Sequence, residues 1–257
     1  MNVQTAAAKL YNAEHTQHCI LPLTKDGALT KEEAYTIQFE NMKRRLEKDQ
    51  ENRIGMKIAY TSLRTQKQLG LDSPCFGYLT DRMLLTIGKP CPMSELIHPK
   101  IEPELAFCLG KKLQGPGCTV ADVYQATAYV VPAFEICDSR YTAWQFDISD
   151  CIADNTSCAR IMLGGKMTSV DNVDMLLTGM NLEKNGELIA TGTTAEVLGS
   201  PAAAIAWLGN EMAKYGMYLP EGSVIMTGSV VPSVQVHDGD SFTASFSGVG
   251  SVTVRFE

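Results

Sequence analysis

Ile97-His98-Pro99-Lys100-Ile101-Glu102-Pro103-Glu104-Leu105-Ala106-Phe107-Cys108-Leu109 reads as a β-strand, and a strand sends alternate side chains to opposite faces. Ile101, Pro103, Leu105 and Phe107 share one face, and Glu102, Glu104, Ala106 and Cys108 the other. Both faces run on into apolar residues, so the two carboxylates lead into a core rather than into water. Neighbouring anions there repel each other and lose hydration unless a cation or protons neutralise them. Val131-Pro132-Ala133-Phe134-Glu135-Ile136-Cys137 repeats the setting, with Glu135 interrupting a second apolar strand. Three carboxylates on buried strands offer only oxygen ligands, which suits Mg2+ or Mn2+ and leaves coordination positions for water and substrate. The plainer alternative is two strand-edge glutamates facing solvent, with Glu135 in a salt bridge to Arg140 or Lys57.

Outward from this stretch, the chain carries enough apolar residues for a sizeable core. Its 257 residues, 45% of them hydrophobic, suit one domain, 1–257, with a helical amino-terminal cap over 1–52 and a β-rich core over 53–257. A net charge of −7 and the lack of a basic stripe with interleaved aromatics argue against a nucleic-acid partner. No apolar run reaches membrane-spanning length, and the first residues lack the basic and apolar regions of a signal peptide. Eight scattered cysteines without a Cys-x-x-Cys pair read as reduced core residues of a cytoplasmic protein.

Local signals then divide the chain. Residues 3 to 16 suit one helix, and the Thr30-x-x-Glu33 capping box opens a second. Ile54 to Tyr60 is a strand, followed by a short helix ending at Gly70. Thr119 to Thr127 suits a helix capped by Thr119, and Asp138 to Asp150 reads as a long polar and aromatic loop. Asn185-Gly186 marks a hairpin turn, because both residues tolerate positive φ. Ser200-Pro201 caps a helix running to Tyr215 and stopped by Gly216. Strands return at Ser223 to Thr227, Ser241 to Phe246 and Ser251 to Phe256. No regular βαβ alternation is present, which favours an α+β fold built on a mixed, curled sheet.

Candidate chemistry lies in other charges set among apolar residues. Lys57, in Met56-Lys57-Ile58-Ala59-Tyr60, needs a partner if it is buried and would then stabilise a developing enolate or carry protons. Its plainer reading is a lysine whose head reaches water. Asp81, after Phe76-Gly77-Tyr78-Leu79-Thr80, is a candidate base or an ordinary turn aspartate. Asp154-Asn155-Thr156-Ser157 would orient a substrate or cap a turn. His15 and His18 carry no assignment, and His98 stands close enough to the acidic strand to support it, with a purely structural residue as the plainer reading.

In this order, Lys57 before Thr61-Ser62, Phe76 to Asp81, Pro99 to Glu104 and Pro132-Ala133-Phe134-Glu135 are followed by Asp138-Ser139-Arg140 and Ala153-Asp154-Asn155. Leu198 to Pro201, Ala206-Trp207-Leu208 and Gly248 to Val252 complete the series. Together they resemble the hydratase/decarboxylase branch of the fumarylacetoacetate hydrolase superfamily. The resemblance implies a β-roll core and Mg2+ or Mn2+ held by Glu102, Glu104 and Glu135. It implies Lys57 and Asp81 as catalytic residues and Asp154, Ser157 and Ser229 as substrate contacts. It also implies a homo-oligomer, with some relatives pairing with the neighbouring pathway enzyme. The implied activity is hydration of 2-hydroxypenta-2,4-dienoate in meta-cleavage aromatic degradation. Decarboxylation of 4-oxalocrotonate (2-oxo-3-hexenedioate) through the same kind of dienolate is the alternative. Phe76 to Asp81, Leu198 to Pro201 and Thr227 to Pro232 look more like the hydratases, and Asp138 to Tyr141 with Phe146-Asp147 more like the decarboxylases. A catalytically silent metal-binding partner subunit is a reading of another class, which the intact set of charges disfavours. Relatives carry Gly and then a small or aliphatic residue where this chain has Ala59 and Tyr60. The Ala59 methyl, on the Lys57 face, is expected to narrow the pocket.

Overall fold

Capping side chains start the amino-terminal helices where the sequence places them. The computed structural model describes residues 2–257, so Met1, the first residue of the expected cap, lies outside them. Helix α1 (Val3–Thr16) opens at Asn2, whose side chain accepts from the Thr5 N–H, and stops where Gln17 turns left-handed. Helix α2 (Lys31–Glu47) opens with the reciprocal Thr30–Glu33 capping box. It stacks Tyr35 on Phe76 with ring centroids 4.5 Å apart. Its buried Gln38 donates to the Phe76 and Ile152 carbonyls at 2.9 and 2.8 Å. No helix among the described residues is long and apolar enough to cross a membrane.

Strand β1 (Arg53–Ala59) pairs antiparallel with β2 (Cys75–Thr80) and parallel with β8 (Val224–Met226). Strand β3 (Lys100–Leu109) runs antiparallel to β8 and to β4 (Thr127–Cys137), and β4 antiparallel to β5 (Cys158–Leu163). With β9 (Val234–Gln235) beside β3, this makes a mixed seven-stranded sheet in the order β2-β1-β8-β3-β4-β5. Its two edges meet. Leu84, just past β2, bridges Ile161 on β5. The Asn155 side-chain amide substitutes for a strand partner of β2, accepting from the Tyr78 N–H at 2.7 Å and donating to its carbonyl at 3.0 Å. A Cβ on Gly77 would fall 2.6 Å from Thr156 Oγ1, so only glycine allows this approach. The sheet is therefore mixed and curled, as expected.

Register assigns the two faces. Leu79, Ala106, Val131, Ala133, Ile161 and Met226 pack together inside the curl. Phe76, Phe107, Phe134 and Ile58 belong to the larger core outside it. A four-stranded antiparallel sheet completes the fold: β6 (Gly179–Lys184), β7 (Glu187–Thr193), β10 (Ser241–Phe246) and β11 (Gly250–Arg255), in the order β11-β10-β6-β7. The Asn185-Gly186 turn joins β6 to β7 with φ of 53° and 84°.

The remaining helices are α3 (Leu63–Leu69), α4 (Val120–Ala126), α5 (Ile148–Ala153) and α6 (Pro201–Ala213). Two expectations need correction. Helix α5 begins inside the stretch read as a loop. It is too short to show helical periodicity, and its capping box is Asp147 with Asp150. Ser200 makes no capping hydrogen bond, so Pro201 alone, with its fixed φ, marks the start of α6. All eight cysteines are free, and all but Cys19 are buried.

Candidate metal centre and substrate cavity

The β3–β4 register sets Glu102 directly opposite Glu135, and Glu104 opposite Ala133. All three carboxylates therefore lie on the inner face of the curl. Oxygens of Glu102 and Glu135 and the Cys137 sulfur lie within 4.8 Å of one another. Glu104, one step deeper, accepts the Gly228 N–H on Oε2 at 2.7 Å. Its Oε1 and both oxygens of Glu135 have no hydrogen-bond partner among the described residues. Glu104 and Glu135 are fully buried, which removes the solvent-facing alternative for Glu104.

Lys57 is 2% exposed, so it is not a lysine whose head reaches water. Its Nζ lies 2.9 Å from Glu135 Oε1, an ion pair off hydrogen-bond alignment, and donates to the Thr156 carbonyl at 3.1 Å. Burial alone would depress the ammonium's pKa, but Glu135, with smaller contributions from Cys137, Cys158 and Glu102, raises it well above the usual value. Burial, then the Glu135 charge, pushes the Glu102 carboxyl up to about 7. Burial, then Glu135 and Glu102, drives Glu104 well above the carboxylate range. One ammonium cannot balance three carboxylates. A divalent cation would supply the missing two charges, and Glu104 Oε1 and Glu135 Oε2, which have no hydrogen-bond partner among the described residues, are donors of the right hardness.

The turn that receives Lys57 is strained. Asn155, Thr156 and Ser157 all sit in the left-handed region, with φ of 51°, 51° and 59°, a conformation that costs about 1–3 kcal/mol per non-glycine residue. Arg140 helps hold it. Arg140 Nε donates to Asp154 Oδ1 at 2.5 Å, and the Arg140 N–H to Asp154 Oδ2 at 3.1 Å. Further guanidinium bonds reach the Asp154, Asp138 and Cys158 carbonyls. Asp138 in turn accepts the Ile97 and His98 N–H groups at 2.8 Å each, tying the turn to the start of the acidic strand.

Above the cluster opens a cavity of about 470 Å3 whose lining includes Lys57, Glu102, Cys137, Ser157 and Ser229. Ser229 lines it, but its hydroxyl is engaged by the Val231 carbonyl at 2.6 Å. Ala59 and Tyr60 are also in the wall, and Tyr60 holds a left-handed φ of 58°. Two expected site residues are not brought here. Asp154 is buried behind the wall, committed to Arg140. Asp81 sits at the far end of β2, where the Asn52 side chain and backbone N–H bind its carboxylate at 2.7 and 3.0 Å and hold its pKa below the usual value. Asp81 lies four residue steps of extended chain from Gly77, the residue level with Lys57, which amounts to about 13 Å.

Several cavity residues escaped the sequence reading. Lys100 and Cys137 were within its reach, since each lies two positions from a glutamate already singled out and so on the same strand face. Trp144 was not, because a strained loop presents it: Ala143 and Trp144 have φ of 58° and 54°. Its indole N–H donates to the His98 carbonyl at 3.0 Å, and Lys100 Nζ lies 4.3 Å from its ring centroid. A second cavity, of about 280 Å3, lies on the other side of Arg140 among paired arginines and carboxylates. It contains none of the acidic trio and not Lys57.

Known proteins resemble this chain over nearly its whole length. The chain is 40% identical over 255 residues to a 4-oxalocrotonate decarboxylase of Pseudomonas putida, covering 99% of this chain and 96% of that protein. It is 44% identical over 211 residues to a 2-hydroxypent-2,4-dienoate hydratase of Pseudomonas putida, covering 81% and 95%. The solved structure of 4-oxalocrotonate decarboxylase from Pseudomonas putida G7, complexed with magnesium and adipate, superposes with a TM-score of 0.95. It shares 39% identity and covers 99% of this chain and 97% of that one. Residues 59–257 match the fumarylacetoacetate (FAA) hydrolase C-terminal family, and the chain belongs to that family, among its hydratases and decarboxylases.

Proposed function

We propose that this protein is a divalent-metal-dependent hydratase that converts 2-hydroxypenta-2,4-dienoate, or a close analogue, to a 4-hydroxy-2-oxo acid. The observation that carries this reading is the set of three inward carboxylates against one lysine, of which Glu102 and Lys57 line the cavity. Glu102, Glu104 and Glu135 would hold Mg2+ or Mn2+, and the magnesium-bound relative supports a divalent ion. When bound, such an ion supplies Lewis acidity to the substrate's 2-oxygen. Lys57 places a fixed ammonium where negative charge develops on that oxygen. Glu135 and the Thr156 carbonyl aim it, and the strained turn carries Ser157 to the cavity wall. Exposed Leu176, Leu177, Leu188 and Ile189 support the expected homo-oligomer.

Decarboxylation of 2-oxo-3-hexenedioate is favoured by one feature. Lys100 points into the cavity two residues outward from Glu102, and its ammonium has no carboxylate partner among the described residues. It lies roughly 7 Å along the strand from the cluster, a separation that an extended six-carbon diacid spans. Product identification after incubating the protein and Mg2+ with each substrate separates the two readings, and no turnover of either would favour the silent subunit. Lys100→Met should raise KM for the diacid about tenfold, the order of a lost charge-assisted hydrogen bond, and raise it less for the dienoate. Equal rises would place Lys100 at the carboxylate that both substrates share.

Metal binding has its own test. Saturating Mg2+ should stabilise the native state by about 2.7 kcal/mol at a hundredfold excess over Kd. Glu104→Gln should lose most of this gain while keeping its fold, because an amide is a neutral ligand where an anion is needed. Thermal unfolding with and without chelator reads both. Full metal response and turnover in Glu104→Gln would remove Glu104 from the ligand set.

A further inference from the structure

We propose that Cys137 is a sulfur donor to this metal centre, so that the site takes a borderline or thiophilic divalent cation such as Co2+ or Zn2+ through a metal–sulfur bond. The proposal rests on reading the acidic cluster as a metal site and goes beyond it by adding a ligand of a different class. Strand alternation puts Cys137 on the face of Glu135, and the register brings Glu102 alongside. Its sulfur is in the group whose atoms all lie within 4.8 Å of one another, and Glu104 stands outside that group. Oxygen and sulfur ligands of one ion sit at about 2.1 and 2.3 Å from it, hence within about 4.4 Å of each other. Only a small closing movement would place all three on one cation.

Independent support comes from Glu135. It is fully buried, and apart from the Lys57 ion pair at Oε1 neither oxygen has a hydrogen-bond partner among the described residues. Cys137 itself lines the cavity floor, where an arriving ion meets it. Carboxylates serve hard ions, and a sulfur beside them shifts preference towards softer ones. The step is ligation without redox change: the S–H bond breaks, the proton passes to solvent, and a sulfur lone pair forms the metal bond.

The test is Co2+ titration of the metal-free protein, followed by near-ultraviolet absorption, where sulfur-to-cobalt charge transfer appears. The wild type should develop this band, saturating at about one Co2+ per chain. Cys137→Ser and Cys137→Ala should lose the band and bind Co2+ and Zn2+ roughly tenfold or more weakly. Their Mg2+ affinity, read by thermal shift, should change by less than about threefold, since a hard ion gains little from sulfur. Cys158→Ser, altered at the residue opposite Cys137 on β5, should keep the band. Saturable Co2+ binding without a charge-transfer band, or a band that persists in both Cys137 variants, would overturn the sulfur donor and leave the carboxylate site standing. No saturable binding of either Co2+ or Mg2+ would overturn the metal centre itself.

Discussion

Lys57→Met should lower kcat by about 10²–10³-fold, with a much smaller change in KM. The ammonium is held by Glu135 and the Thr156 carbonyl at the floor of the cavity, so it is in place before substrate arrives. A preorganised charge that meets negative charge mainly as the reaction proceeds acts on kcat, and losses of this size are typical when such a group is removed. Methionine approximates the length of the side chain without its charge. Lys57→Arg should not restore full activity, because a planar guanidinium does not fit a site already bounded at 2.9 and 3.1 Å. Both variants should still bind Mg2+. Without metal, Lys57→Met should lose stability, since it leaves the buried Glu135 carboxylate unpaired. Steady-state kinetics on the three proteins decides the matter. A near-normal kcat in Lys57→Met would reduce Lys57 to a structural partner of Glu135.

Asp154→Ala should destabilise the protein by about 3–5 kcal/mol, the usual cost of breaking a buried ion pair by removing one partner. Asp154 and Arg140 are 2% and 3% exposed, so solvent cannot replace the lost carboxylate. Burial lifts the Asp154 carboxyl to about 6 against the pull of Arg140. Burial thus outweighs the attraction of Arg140, and with hydration gone that contact is what remains to hold the Asp154 charge. For a chain of this size the loss corresponds to a fall in Tm of roughly 6–20 °C. Activity should fall as well, because the same pair fixes the strained turn that offers the Thr156 carbonyl to Lys57. Arg140→Met combined with Asp154→Ala should recover part of the stability, since no unpaired charge then remains buried. Full recovery is not expected, because the guanidinium also satisfies the Asp138 and Cys158 carbonyls. A loss below about 1 kcal/mol in Asp154→Ala would show that the turn holds without the pair.

The sequence by itself determined what depends on near neighbours in the chain. Strand alternation placed Glu102 and Glu104 on one face, and the same rule reaches Lys100 and Cys137. The Thr30–Glu33 and Thr119–Asp122 boxes started their helices, because a cap satisfies backbone donors only three residues away. Motif order was enough for the family and for a curled sheet. Only the tertiary structure decided which charges meet. Lys57, Glu135 and Thr156 come together because β1 and β4 sit in one sheet whose edges close through Asn155, a matter of long-range register. The same closure commits Asp154 to Arg140, behind the cavity wall. Asp81 lies in a motif beside a residue level with Lys57, yet the rise of β2 carries it to the opposite end. Proximity in sequence did not become proximity in space, because an extended strand separates its residues faster than any other regular structure.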